Sequence, residues 1–170
     1  ELYNDANEIL DKIINEKWLV AKGCFGIYSS NSVGDDIEIY TDEKRNNVKC
    51  KFITLRQQLK KREGIPNFAL SDFIAPKDSK FNDYMGVFCV TAGFGCDEKA
   101  NEFIDKNDDY SSIMIKALAD RLAEAFAEYL HREIRVNYWG YSPNEEINSD
   151  GLIKEKYRGI RPAPGYPACP

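Results

Sequence analysis

One stretch governs what this chain can become. From about Ser111 to Arg135, apolar residues recur every three or four positions, at Met114, Leu118, Leu122, Ala125, Phe126 and Tyr129. That spacing is the stripe of an amphipathic helix. Asp108 and Asp109 stand just ahead of it as cap and first-turn acids; they satisfy free N–H groups and complement the helix dipole. Met114, Leu118, Leu122, Phe126 and Tyr129 are expected to lie buried against a sheet.

The rest of the chain supplies that sheet. Gly23–Tyr28 and Asp36–Tyr40 read as strands, with turn chemistry in Asn31-Ser32-Val33-Gly34-Asp35 between them. Phe25, Ile27, Ile37 and Ile39 alternate, as in a hairpin with one buried face. Val48–Thr54 is a further strand. Tyr84–Thr91 is the clearest one, and its almost continuous apolar run suits a central position. Shorter helices are expected over Ala6–Lys17, with Ile9, Leu10, Ile13, Ile14 and Trp18 as its apolar face, and over Asp97–Lys106. A short basic helix over Leu55–Glu63 would close at Gly64 and Pro66, and a last helix, capped by Asp150, would run to about Lys156. Phe68–Ala75 fits no single pattern, and Val136–Tyr141 reads as a short aromatic strand. Strands and helices do not alternate regularly. The expected fold class is α+β with a largely antiparallel sheet, not a doubly wound one.

Composition narrows the function. At 170 residues the chain fits one domain. Its 23 basic and 28 acidic residues give 23 − 28 = −5, which argues against a sequence-independent grip on nucleic acid or an anionic membrane. No apolar run is long enough to span a bilayer. The start, Glu1-Leu2-Tyr3-Asn4-Asp5, is no signal peptide, and it lacks an initiating Met, as in a chain cut from something longer. Five cysteines, Cys24, Cys50, Cys89, Cys96 and Cys169, are widely spaced with no Cys-x-x-Cys pair. They read as free thiols in a reducing, cytoplasmic setting rather than as zinc ligands or disulfides. His131 is the single histidine. It reads as a surface or helix-end residue, and no metal site is expected.

Three features bear on chemistry. Gly93-Phe94-Gly95, between a strand and a helix, imitates half of a dinucleotide fingerprint; Glu98 at the third glycine position would repel a pyrophosphate. It reads as a turn. Asp120, Glu124 and Glu128 share one face of the long helix. Arg132 can relieve Glu128 and Lys116 can pair with Asp120, whereas Glu124 has no opposite charge four residues away. The stripe is either a solvated face or a surface for a cationic ligand or a partner domain. The third feature is the C-terminal Gly159–Pro170 segment, with four prolines in its last nine residues. Proline fixes φ and restricts its predecessor, so such a loop loses little entropy when it binds. Arg161 is a planar donor suited to a carboxylate, Gly165 permits positive φ, and Tyr166 offers a ring face and a hydroxyl.

The segment Arg161-Pro162-Ala163-Pro164-Gly165-Tyr166-Pro167-Ala168-Cys169-Pro170 resembles the signature loop of the activation domain of cobalamin-dependent methionine synthase. Leu118–Glu128, Tyr138-Trp139-Gly140-Tyr141, Val33–Glu38, Leu55–Gln58 and Asp108-Asp109-Tyr110 follow the same family's order. The resemblance runs from near residue 1 to residue 170.

It implies a helmet-like α+β domain around a twisted antiparallel sheet. It also implies binding of S-adenosylmethionine during reactivation of cob(II)alamin in the methyltransferase that makes methionine from homocysteine and methyltetrahydrofolate. The electron would come from flavodoxin or a related reductase. The cobalamin would be held by another module, on the same polypeptide or a separate subunit. By resemblance, Arg161 would pair with the ligand's carboxylate, the backbone at Ala163 and Gly165 would line the site, and Tyr166 would lie near the ligand and the cobalamin face. Glu124 would balance its ammonium or sulfonium, and Asp120 would face the cobalamin module. The family domain extends beyond both ends of this chain, so residues 1–170 are expected to be part of it and to be inactive alone. The alternative is a non-catalytic docking domain for a cobalamin-binding or flavodoxin-like partner.

Overall fold

The computed structural model describes residues 1–163 and Gly165. In chain order the elements are α1 (Leu2–Glu16), β1 (Val20–Val33), β2 (Asp36–Tyr40), β3 (Val48–Ile53), β4 (Asp83–Phe94), α2 (Cys96–Ile104), α3 (Asp109–Glu133) and α4 (Ser149–Ile153). Short 3-10 turns occupy Leu70–Phe73 and Lys77–Ser79, and a π-helical turn, Ile134–Tyr138, follows α3. The sheet order is β3-β2-β1-β4, and its strands run antiparallel. The α+β expectation therefore holds. β4, read from its apolar run as central, lies at an edge.

The chain divides into two compact units, Glu1–Cys24 with Phe88–Arg158, and Phe25–Val87 with 159–170. In the first, Ile9 and Ile13 of α1, Cys96 and Ala100 of α2, and Met114, Ile115 and Ala119 of α3 form a buried cluster. α3 starts where its cap was expected, because the Asp108 carboxylate accepts the Ser111 N–H at 3.0 Å. The expected burial of its stripe holds for Met114 but fails at the other end: Tyr129 is 58% exposed. The N-terminal half of α3 packs on α1 and α2, so its buried positions are set by two helices rather than by the sheet that was expected.

Beyond α3 the expected strand is absent. Trp139 N–H donates to Ile134 O, the bond of a π-helical turn, and Arg135 within that turn is fully buried. Its guanidinium makes two hydrogen bonds to Glu145, at 2.8 and 2.6 Å, and lies 4.1 Å from the centre of the Tyr157 ring. His131 is buried too, stacked on Phe88 and edge-on to Tyr157. It lies in the last turn of α3, as the helix-end reading expected, but as a core residue rather than a surface one. Asn148, not Asp150, caps α4, accepting the Gly151 N–H at 2.9 Å.

In the second unit β1 and β2 form the expected hairpin, with Val33 opposite Asp36 and a turn reduced to Gly34-Asp35. Gly34 takes φ +61°, as a two-residue hairpin turn asks of its first central residue. β1 continues through Ser29–Ser32, four buried polar residues, of which Asn31 and Ser32 read from the sequence as turn. Their partners are distant in sequence: the Asn31 amide donates to the Ala75 and Phe81 carbonyls, and the Ser32 hydroxyl to that of Ile74. The basic helix expected over 55–63 does not form. The Gln57 N–H donates to Phe68 O, and the Arg56 guanidinium is spread between Asp35, Asp72 and the Asn67 carbonyl.

Glu38 on β2 is buried and meets two lysines, Lys77 at 2.8 Å and Lys51 at 3.3 Å. The Lys77 hydrogen bond holds its carboxyl below the ordinary value of 4.5; burial pushes the other way, and Lys51 reinforces Lys77. A carboxyl with a depressed pKa stabilises the fold above its unfolded pKa, and that contribution is lost as pH falls through the folded one. Thermal melts from pH 6 down to about 3 should therefore lose stability increasingly below about pH 4.5. In Glu38→Gln that acid loss should be shallower. Identical slopes for the two proteins would remove Glu38 from the acid transition.

Candidate ligand site

The proline-rich loop leaves the first unit from a fixed point. Tyr157 is buried beneath Arg135, and the next residue, Arg158, accepts a 3.3 Å hydrogen bond from the Tyr141 hydroxyl on its carbonyl. Burial pushes the Tyr141 hydroxyl's pKa up, whereas the Arg135 hydrogen bonds hold that of Glu145 down. This anchor of packed rings and one buried ion pair ends where the loop begins.

In the second unit, Arg161 is half-buried, and Ala163 and Gly165 are exposed. Gly165 takes φ +88°, and nothing lies within 4 Å of where a Cβ would stand. Glycine is thus required there by backbone conformation rather than by crowding. Tyr166 lies outside the described residues.

The acids of α3 belong to the first unit. Asp120 and Glu124 are both exposed, one turn apart. Glu124 pairs with Arg121, three residues earlier, at 2.9 Å. Looking only at four-residue spacing missed that partner. Both side chains are well exposed, 71% and 63%, and such a pair holds by at most about 1 kcal/mol. A ligand cation can displace Arg121 at little cost. Arg132 pairs with Glu133 at 2.9 Å. The expected Lys116–Asp120 ion pair does not form. The lysine and arginine rotamers settle on whichever acid is nearest, which spacing alone does not decide.

The first unit also carries an open groove of about 440 Å³ that the sequence did not disclose. Leu122, Phe126 and Tyr129 of α3 form one wall, Ile14 of α1 contributes, and Ala21 of β1 and Ala92 of β4 line it as well. Its lining is mostly apolar and includes Lys17. Tyr129, at the exposed end of the α3 stripe, closes one side of the groove.

Gly95, in the Gly93–Gly95 turn, sits at φ +89°, and the Trp18 carbonyl oxygen occupies the space that a Cβ would need, so the backbone there is packed tightly against its own chain. That supports a turn and leaves no phosphate cradle. Among the described residues, no group of three His, Cys, Asp or Glu side chains is placed to hold a metal ion. No helix there is long and apolar enough to cross a membrane. Cys24, Cys50, Cys89 and Cys96 are free thiols; Cys169 lies outside the described residues.

A family model for the activation domain of vitamin B12 dependent methionine synthase matches residues 1–170. The chain belongs to this activation-domain family. Among solved structures, it is similar to the crystal structure of the MetH reactivation domain bound to AdoHcy. The identity is 56% and the TM-score 0.93, with 99% of this chain and 52% of that one covered. The chain thus spans about half the length of that reactivation domain. The α+β architecture and the family resemblance read from the loop and the α3 block agree with both findings. The enzyme to which activation domains of this family belong is a cobalamin-dependent methyltransferase.

Proposed function

We propose that this chain contributes an S-adenosylmethionine site to the reactivation step of a cobalamin-dependent methionine synthase. The observation that carries the reading is the match, at 56% identity along nearly all of this chain, to a reactivation domain bound to AdoHcy, the demethylated form of that ligand. The loop residues fit such a ligand. Arg161 would clamp the carboxylate with two parallel N–H donors. The backbone at Ala163 and Gly165 would lie along the ligand, where the open space at Gly165 leaves room for close approach. Tyr166 would cover it on the side facing the cobalamin. Glu124, released from Arg121, would meet a positive group of the ligand, and Asp120 would face the cobalamin-binding module.

Bound cobalamin, held by that module on the same polypeptide or a separate subunit, would accept the methyl group once flavodoxin or a related reductase had supplied an electron. The residues of this chain would hold the donor and orient its methyl group. The transfer turns a sulfonium into a neutral thioether, so an acid beside the sulfur holds substrate more tightly than product. The same reading places the protein in the cytoplasm, where free thiols persist.

Glu124→Gln should weaken S-adenosylmethionine binding by about five- to tenfold, the weight of a partly exposed charge contact at roughly 1–1.4 kcal/mol. The test is paired titration with S-adenosylmethionine and AdoHcy on a chain of the relative's full length. An equal loss for both assigns Glu124 to the ammonium, which both carry; a loss confined to S-adenosylmethionine assigns it to the sulfonium. Unchanged affinity for both would remove Glu124 from the site. If the wild type bound neither ligand, a docking domain for the cobalamin-binding or flavodoxin-like partner would be the better reading.

A further inference from the structure

β1 and β4 are neighbours in the antiparallel sheet. A Cβ placed on Gly23 of β1 would lie 3.2 Å from Val90 Cγ1 of β4 and 3.1 Å from Phe126 Cζ. Side chains this close across a sheet belong to residues that stand opposite one another on the same face. Ala21 and Ala92, two positions away in opposite directions, both line the groove on that face, as the same register requires. Antiparallel strands count in opposite senses, so the pair after Gly23 and Val90 is Cys24 and Cys89. Alternation turns both thiols to the other face, and both are exposed and free.

Residues opposed in an antiparallel pair have Cα atoms about 4.5–5.5 Å apart. A disulfide accepts about 4.4–6.8 Å. No rearrangement of the strands is needed to bring the two sulfurs together. Cys50, on β3, lies opposite Ile39 and has no such neighbour across β2, and Cys96 is buried in the helical cluster.

We propose that Cys24 and Cys89 form a redox-responsive dithiol that closes to a cross-strand disulfide by exchange with a small-molecule disulfide of the glutathione type. One thiolate attacks the disulfide, forms a mixed disulfide and expels one glutathione thiolate. The second cysteine, as thiolate, then attacks the protein sulfur of that mixed disulfide and expels the other glutathione thiolate. Two electrons pass from the cysteine pair to glutathione disulfide, and the two cysteine protons end on the two released thiols. The link would staple the strands whose opposite face carries Ala21 and Ala92 of the groove.

The test is equilibration of the 170-residue chain with glutathione disulfide, quenching with N-ethylmaleimide and peptide mapping without reduction. The expected product joins the tryptic peptides carrying Cys24 and Cys89, with fragmentation showing Cys96 still alkylated. Two of the five thiols should become unreactive. Cys24→Ser should abolish the link, and Cys50→Ser should leave it intact. Glutathione retained singly on Cys24 or Cys89, links to Cys50 or Cys169, links between two chains, or no reaction at all would each overturn the proposal.

Discussion

Arg161→Ala, made in a chain of the full reactivation-domain length, should weaken S-adenosylmethionine binding by at least about thirtyfold. The magnitude follows from the contact proposed for Arg161. A charge-assisted, bidentate bond to a carboxylate is about twice as strong as a neutral one, and truncating one partner of such a pair when buried costs on the order of 2–5 kcal/mol. With tenfold per 1.4 kcal/mol, the lower end of that range already gives about thirtyfold. Arg161→Lys should recover only part of the loss, because an ammonium cannot present the same fork. Thermal melts of both variants separate a loss of affinity from a loss of folding, since Arg161 is half-buried. Isothermal titration with S-adenosylmethionine, paired with thermal melts, checks both parts. Unchanged affinity in Arg161→Ala would take this residue out of the site.

The second large effect is structural. Arg135→Ala would leave the Glu145 carboxylate, itself only 5% exposed, without its two hydrogen bonds and would empty the space above the Tyr157 ring. Breaking a buried ion pair from one side costs about 3–5 kcal/mol. For a domain of this size each kcal/mol moves the melting temperature by roughly 2–4 °C, so the midpoint should fall by on the order of 10 °C. The double variant Arg135→Met, Glu145→Leu should regain much of that loss, because it removes both charges and keeps the volume. The segment anchored by this pair leads directly into the loop, so Arg135→Ala should also weaken ligand binding at temperatures where the domain stays folded. A midpoint within about 2 °C of the wild type in calorimetric scans would show the pair to be dispensable.

What the sequence disclosed, and what it hid, follows the range of the forces involved. α3, its Asp108 cap and the β1–β2 hairpin rest on neighbours within a few residues, and they were legible. Ser29–Ser32 were hidden because their hydrogen bonds go to Glu43 and to backbone carbonyls at Ile74, Ala75 and Phe81, more than ten residues away. The π-helical turn was hidden for the same reason. Ile134–Tyr138 has the aromatic and β-branched composition of a strand, and the Arg135–Glu145 pair overrides that preference. Arg56 in the expected basic helix is likewise held by Asp35 and Asp72.

The loop was legible as a motif, because proline, glycine and arginine in that order carry their own constraints. The groove was not, since Ala21, Ala92, Ile14 and Phe126 come from four separate elements and none is distinctive alone. Nor was the Cys24–Cys89 opposition, which depends on the β1–β4 register.

The functional reading stands or falls with the Arg161–Tyr166 loop as part of an S-adenosylmethionine site. Calorimetric titration of S-adenosylmethionine into two proteins decides it: the 170-residue chain, and a version lengthened at both ends to match the relative of which it covers 52%. Saturable one-to-one binding is expected for the longer protein and weak or undetectable binding for the shorter one, because contacts from outside residues 1–170 are expected to complete the site. Heat of dilution alone from a folded longer protein would contradict that reading.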